Sequence, residues 1–381
     1  MMLIINSGSS SIKYKLFDVK SDNHLLARGV VEKIGLRGSR LRDHNAAIKF
    51  ILKSLMREEG GVLDDPSEIR AVGHRVVHGG ERFKGSVIIN NGVIKAIRRF
   101  SRLAPLHNPP NLLGIEACKR SLPDIPQVAV FDTAFYQTLP ESHYIYAIPY
   151  SLYKKDGIRR YGFHGTSHKY VAIRTAAVLK RPIGRLKIIT CHLGNGCSMT
   201  ATKNGKAQDT SMGFTPLEGL VMGTRSGNID PIVILYLMER KGMKRDDIDR
   251  LLNKKSGLLG VSGVSSDMRD VYKALKRGNK RARLAFDIFI HRIRGYIGAY
   301  AAGMDGVDAI TFTAGIGENH PPTRRAVCAN LGFLGVRIDN RKNNANNVVI
   351  SKPDSKVKVL VIPTDEELMI AKETREVIKN S

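Results

Sequence analysis

Long apolar runs, paired cysteines and low-complexity tracts are all missing from this 381-residue chain, and each absence removes a class of protein. No apolar stretch is long enough to span a bilayer as a helix. The short apolar start runs straight into Asn6-Ser-Gly8 without a charged region or a cleavage site, so it reads as a strand and not as a signal peptide. Four cysteines (Cys118, Cys191, Cys197 and Cys328) show no C-x-x-C spacing. They read as reduced thiols of a cytoplasmic protein, not as disulfides or a zinc site. Acidic residues are scarce: 35 Asp and Glu stand against 61 Lys and Arg, a formal net charge of +26. A field of that sign attracts anions, whether nucleotides, acyl phosphates, nucleic acids or acidic membranes. With no RNP-like aromatic motif, zinc finger or long basic tail, nucleic acid is not expected as the primary ligand. The densest basic run, Lys276-Arg-Gly-Asn-Lys-Arg-Ala-Arg283, reads as the solvated face of a helix continuing through Leu284, Phe286 and Ile288.

At this length two domains are expected. What the chain does have is three glycine-rich turns, each set on an apolar run: Leu3–Tyr14, Ile188–Thr200 and Ile310–Asn319. A strand that ends in small residues exposes backbone N–H groups that can wrap a phosphate. The first two segments read as hairpins, with Ile12, Tyr14 and Leu16 alternating in one and Asn204-Gly205 marking the next turn after the other. Their shared pattern suggests two related halves. Ala46–Glu59 has helical spacing, and Ala71–Val77 and Ile125–Phe131 read as buried strands. Pro105–Pro110 reads as a rigid loop before a helix starting near Asn111, and Lys169–Leu179 reads as a helix opened by a Gly- and His-rich loop. Helices dominate from Pro231 to Met304, and a strand over Val357–Ile362 precedes a closing helix.

The first turn offers Asn6, Ser9, Ser11 and Lys13, but not the Walker pattern G-x-x-x-x-G-K-S/T. The second, His192-Leu-Gly-Asn-Gly196, is the more specific, and the third, Gly315-Ile-Gly-Glu-Asn319, is close to a lone G-x-G. Arg75 and Arg225 lie in apolar or glycine-rich segments, where a guanidinium fork holds a carboxylate or phosphate, or forms an internal salt bridge. Asp132 closes a buried strand and is placed to orient a nucleophile or a metal-bound water. His164 is a donor on a glycine-rich loop, and Glu366 and Glu367 suit Mg²⁺ held through water.

Together these blocks resemble the acetate kinases of the acetokinase (acetate/propionate kinase) family, in the wider actin–hexokinase–chaperone fold group, over nearly the full length. The carrying segments are Asn6–Ser11, Gly73–Gly80, Phe131–Phe135, Tyr161–His168, Leu193–Gly196, Asp209–Leu220, Gly315–Asn319 and Pro363–Glu367. The resemblance implies an α/β fold of two duplicated ribonuclease H-like (actin/hexokinase-type) domains with an interdomain nucleotide cleft. The expected bounds are 1–150 plus 363–381 for the first domain and 151–362 for the second.

It also implies reversible in-line phosphoryl transfer between ATP and acetate, giving acetyl phosphate and ADP and linking acetate to acetyl-CoA. By resemblance, Asn6 and Glu366 bind Mg²⁺, with Mn²⁺ as the alternative ion, and Lys13 binds nucleotide phosphates. Arg75 holds the acyl carboxylate, in a pocket lined by Val77, Leu106, Phe163 and Pro216. Asp132 matches the catalytic aspartate, and His164 and Arg225 stabilise the transferring phosphoryl. The nucleotide site falls to His192, Leu193, Gly194, Asn195, Gly196, Asp267, Met268, Arg269, Gly315, Ile316, Gly317, Glu318 and Asn319. A carboxylate substrate is already a nucleophile, so Asp132 is read as orienting a metal or an arginine and not as a general base. Asn228, Cys197 and Met268 depart from residues common in the family, and none removes a catalytic group. Val77, bulkier than alanine, favours acetate, with propionate as the alternative within the family. A nucleic-acid-binding protein on a kinase scaffold is the alternative from another class. A cytoplasmic homodimer is implied by the resemblance.

Overall fold

In the computed structural model, residues 1–18, 24–105 and 107–381 are described, and they divide into two compact units. The first comprises Met1–Gln137, Gly165–Ser167 and Asp365–Ser381, and the second Thr138–His164 and His168–Thr364. No helix among the described residues is long and apolar enough to cross a membrane.

The first unit is built on a six-stranded sheet of β1 (Met2–Ser7), β2 (Ile12–Asp18), β3 (His24–Val31), β4 (Ala71–Val76), β5 (Val87–Ile88) and β6 (Gln127–Phe131), in the order β3-β2-β1-β4-β6-β5. β1 and β2 are an antiparallel hairpin, while β4 runs parallel to β1 and β6 parallel to β4. Central β1 and β6 are apolar on both faces because helices cover both sides, as parallel strands require. Helices His44–Leu55 and Asn108–Ser121 pack Ile48, Ile51, Ala117 and Cys118 against Leu3, Ile5 and Val72. The closing helix, Glu366–Lys379, packs Ile370 and Ala371 on Ile4 and Val128 of the other face.

The second unit repeats the plan with β7 (Lys187–Leu193), β8 (Cys197–Lys203), β9 (Lys206–Thr210), β10 (Ala309–Thr313) and β11 (Lys358–Val361), in the order β11-β10-β7-β8-β9. Here too a three-strand antiparallel meander is continued by two parallel strands beside its first member. The duplication expected from two hairpins therefore extends to five strands per sheet. Asn204 and Gly205 both have positive φ, the backbone of a two-residue hairpin turn.

Three local expectations are corrected. Asn108, Pro109 and Pro110 are not loop but the first turn of their helix, where proline's missing N–H costs nothing. The helix after the Gly/His segment likewise begins earlier, at Gly165. The basic run 276–283 straddles two helices, Met268–Lys276 and Lys280–Gly303, separated by Gly278 at φ +86° and capped by Asn279, which accepts from Ala282 N–H at 2.9 Å. Leu284, expected on an apolar face, is exposed.

Candidate active site

In the first unit, the strand ends bring acid and base together. Arg75, at the end of β4, donates through Nη2 and Nε to Asp132 Oδ2 at 2.6 and 3.1 Å. Its Nε also lies 3.6 Å from Glu366 Oε2, and its Nη1 is 3.5 Å from Asn6 Oδ1 on β1. Asp132 is 1% exposed, and its other oxygen accepts from Thr166 Oγ1 at 3.0 Å. Its backbone carbonyl accepts from Gly165 N–H, an approach so close that a β-carbon on Gly165 would sit 2.0 Å from that oxygen. Burial opposes the charge on Arg75, but Asp132 and Glu366 more than offset it and hold the guanidinium protonated. Burial pushes Glu366 up to about 7, against Arg75 and with help from the neighbouring Asp132 and Glu367 carboxylates. That surplus of negative charge, with an amide oxygen from Asn6, is a hard-oxygen donor set that fits Mg²⁺ held partly through water. Lys13 is exposed and makes no ion pair among the described residues. Its neighbour Lys15, not singled out from the sequence, instead pairs with Asp365 at 2.7 Å and Glu367 at 3.3 Å.

Val77 is buried at the start of a loop whose backbone N–H groups are claimed in turn: Val77 donates to Asn111 Oδ1, His78 to Asn108 Oδ1 and Gly79 to Thr133 Oγ1, at 3.0–3.1 Å. Asn108 and Asn111, three apart on the first turn of their helix, were missed because a lone asparagine beside prolines signals a turn as readily as an anchor. Of the other expected acyl-pocket residues, Phe163 is buried and Pro216 half-buried, both in the second unit. Leu106 lies outside the described residues.

In the second unit, the β7–β8 turn gathers the donors. His164 precedes the helix Gly165–Val178 at φ +59°, an uncommon backbone for a residue with a side chain. Its ring stacks on His192 at 4.3 Å between centroids, and its Nδ1 is 2.9 Å from Ser198 Oγ. A β-carbon added to Gly196 would lie 3.5 Å from His164 Cε1 and 3.6 Å from Arg225 Nη1, so both side chains flank this turn. Arg225 is half-buried and, among the described residues, donates to Pro216 O at 3.3 Å and, at 3.7 Å, to Met222 Sδ. Among the described residues no carboxylate pairs with it, and burial lowers its hold on the proton. Asn228 is structural, accepting from Gly219 N–H and donating to Tyr296 Oη.

Beside the turn, a cavity of about 540 Å³ is lined by Gly194, Asn195, Asp267, Met268, Arg269, Gly315, Ile316 and Asn319, together with Ser266 and His320, which sequence reasoning missed. His192, Leu193, Gly196, Gly317 and Glu318 fall outside that lining. Glu318 turns inward, its Oε1 accepting from Ala314 N–H at 2.7 Å, Thr364 N–H at 3.1 Å and Thr313 Oγ1 at 3.2 Å. It thereby ties the third glycine segment to the residues before the closing helix. Around this turn stand a guanidinium with no carboxylate partner among the described residues and several neutral donors beside an open cavity, which suits an anionic ligand.

The Acetokinase family model matches residues 1–372. An acetate kinase of Acetivibrio thermocellus is 56% identical over 397 residues, covering 100% of this chain and 99% of its own. An acetate kinase of Alkaliphilus metalliredigens is 54% identical over 395 residues, covering 99% of this chain and 100% of its own. Among solved structures, Porphyromonas gingivalis acetate kinase is similar at a TM-score of 0.95 and 49% identity over 99% of both chains. A propionate kinase from Francisella tularensis subsp. tularensis is similar at a TM-score of 0.92 and 41% identity, also over 99% of both chains.

Proposed function

The chain belongs to the acetokinase family, and from that premise we propose that it is a phosphotransferase moving the terminal phosphoryl of ATP to acetate, reversibly giving acetyl phosphate and ADP. The observation that carries this reading is Arg225: a guanidinium with no carboxylate partner among the described residues, beside His164 and a glycine turn that opens on the cavity. A transferring phosphoryl is metaphosphate-like and spreads charge over its oxygens, so catalysis rests on positioning and charge stabilisation. Gly194, Asn195, Met268 and Ile316 hold the nucleotide in the cavity, and Arg225 and the His164 ring receive the phosphoryl oxygens. The acetate carboxylate needs no base, so Asp132 serves to hold Arg75 in place, and Arg75 steers the carboxylate. Asn6 and Glu366 hold Mg²⁺, which when bound neutralises phosphate charge. Four buried free thiols support a reducing, cytoplasmic setting. The helix Ile232–Lys241 has no buried residue and exposes Ile232, Leu235 and Tyr236, which supports a homodimer.

The test is hydroxylamine-trapped acyl phosphate formation from ATP–Mg²⁺ with acetate, propionate and butyrate side by side. The highest rate is expected with acetate. A higher rate with propionate corrects the substrate and keeps the mechanism, while no product from folded protein with any acid overturns the reading.

A further inference from the structure

Behind His164 runs a buried chain of hydrogen bonds that the transfer reaction does not itself require. His164 Nδ1 is 2.9 Å from Ser198 Oγ, Ser198 Oγ is 2.7 Å from His168 Nε2, and His168 Nδ1 is 2.5 Å from Thr190 Oγ1. Thr190, His168 and Ser198 are completely buried, so each proton in the chain must be accounted for. His168 is neutral, since burial lowers its pKa well below the ordinary value and His192 lowers it further. A neutral ring carries one proton, and Ser198 and Thr190 carry one each, which leaves two self-consistent orders.

In the first order, His168 Nδ1–H donates to Thr190 and His164 Nδ1–H to Ser198. The Thr190 hydroxyl must then find another acceptor, and the one within reach is Thr200 O at 3.5 Å, beyond normal O–H···O range. A buried hydroxyl would be left nearly unsatisfied. In the second order every proton lies on a short contact: Thr190 Oγ–H to His168 Nδ1, His168 Nε2–H to Ser198 Oγ, and Ser198 Oγ–H to His164 Nδ1. His164 then carries its proton on Nε2.

We propose that Thr190, His168 and Ser198 are positioning residues that lock His164 as the neutral Nε2–H tautomer. The inference rests on the phosphoryl-binding role given to His164 above. It makes that residue a neutral hydrogen-bond donor, and the positive charge on the phosphoryl oxygens comes from Arg225. Protonating His164 at Nδ1 would require the whole chain to reverse and would orphan the Thr190 hydroxyl, so the chain also resists formation of the imidazolium. Among the described residues, the titratable or charged groups around His164 include His192 stacked on its ring, His168 behind Ser198, and Arg225 across Gly196. Asp132 is bonded to the next two residues, Gly165 and Thr166.

The experiment is ¹⁵N NMR of histidine-labelled full-length protein, with His164→Asn to assign the resonances. The expected result is a protonated Nε2 and an unprotonated Nδ1 on His164 at pH 7.5. A protonated Nδ1, or an imidazolium at that pH, overturns the proposal. In Ser198→Ala protein the His164 ring is expected to show a mixture of its two neutral tautomers. kcat should fall about ten-fold with KM for ATP and acetate little changed, and Ser198→Thr should restore both properties. Wild-type kcat in Ser198→Ala, beside a collapsed rate in His164→Ala, overturns the chain and keeps the phosphoryl-transfer reading. An unchanged rate in His164→Ala overturns that reading instead.

Discussion

Arg75 and Arg225 occupy similar glycine-rich sequence and meet opposite surroundings. Arg75 grips the almost fully buried Asp132 with two hydrogen bonds and stands beside Glu366 and Asn6. Among the described residues, the Arg225 guanidinium finds a carbonyl oxygen and a thioether and no carboxylate. The first unit is therefore acid-rich at its strand ends, a place for a cation and for steering a carboxylate. The second is left with an uncompensated cation and neutral donors, a place for phosphate. Two sheets that share a five-strand plan end in opposite electrostatic surroundings.

The sharpest break of this comparison is Arg225→Ala. Its rate of acyl phosphate formation should fall by on the order of 10³-fold, while its melting temperature changes little, because the variant loses one long hydrogen bond to a carbonyl, a contact with a thioether and no carboxylate partner among the described residues. Arg75→Ala should lose rate and also stability, by roughly 3–5 kcal/mol, because Asp132 is left as an unpaired buried charge. Urea melts of the single variants and the Arg75→Ala/Asp132→Ala double variant check this: the double should recover much of the loss, and additive losses would deny the coupling.

Glu366 sharpens the contrast from the acid side. Its folded pKa, about 7, lies above the ordinary carboxylate value. The folded state thus binds the extra proton between roughly 4.5 and 7, and stability falls as pH rises through that window. At pH 8 without divalent ions, Glu366→Gln should be more stable than wild type by about 2 kcal/mol and nearly inactive. At pH 4 the stability difference should vanish. The smallest effect is expected for Lys15→Ala, which removes the pairs to Asp365 and Glu367. A loss of about 1 kcal/mol, read from thermal melts, would make Lys15 an anchor of the closing helix and not part of the phosphate site.

Much of the fold was legible in the sequence because the two hairpins announce themselves by alternation and by small-residue turns. The third strand of each meander was not: β3, His-Leu-Leu-Ala-Arg-Gly-Val-Val, is for the most part half-buried or exposed without clear alternation, and β9 reads Lys-Ala-Gln-Asp-Thr, so neither carries the pattern of a buried strand. Two helix starts were misplaced because proline and glycine open helices as well as loops. For the site, eight of the expected nucleotide residues line one cavity. The supporting polar residues were silent, since Asn108, Asn111, Thr133 and Ser198 take their meaning from partners 30 or more residues away. His168 sat inside a quoted motif, yet nothing in that motif revealed the hydroxyl on each side of its ring.

The central claim is that Arg225 supplies the charge that receives the phosphoryl group. Its most direct test is acyl phosphate formation from ATP–Mg²⁺ and acetate by Arg225→Ala protein, with and without added guanidinium. The account predicts near-complete loss, partly restored by the free cation. Wild-type rates in the folded variant would contradict it.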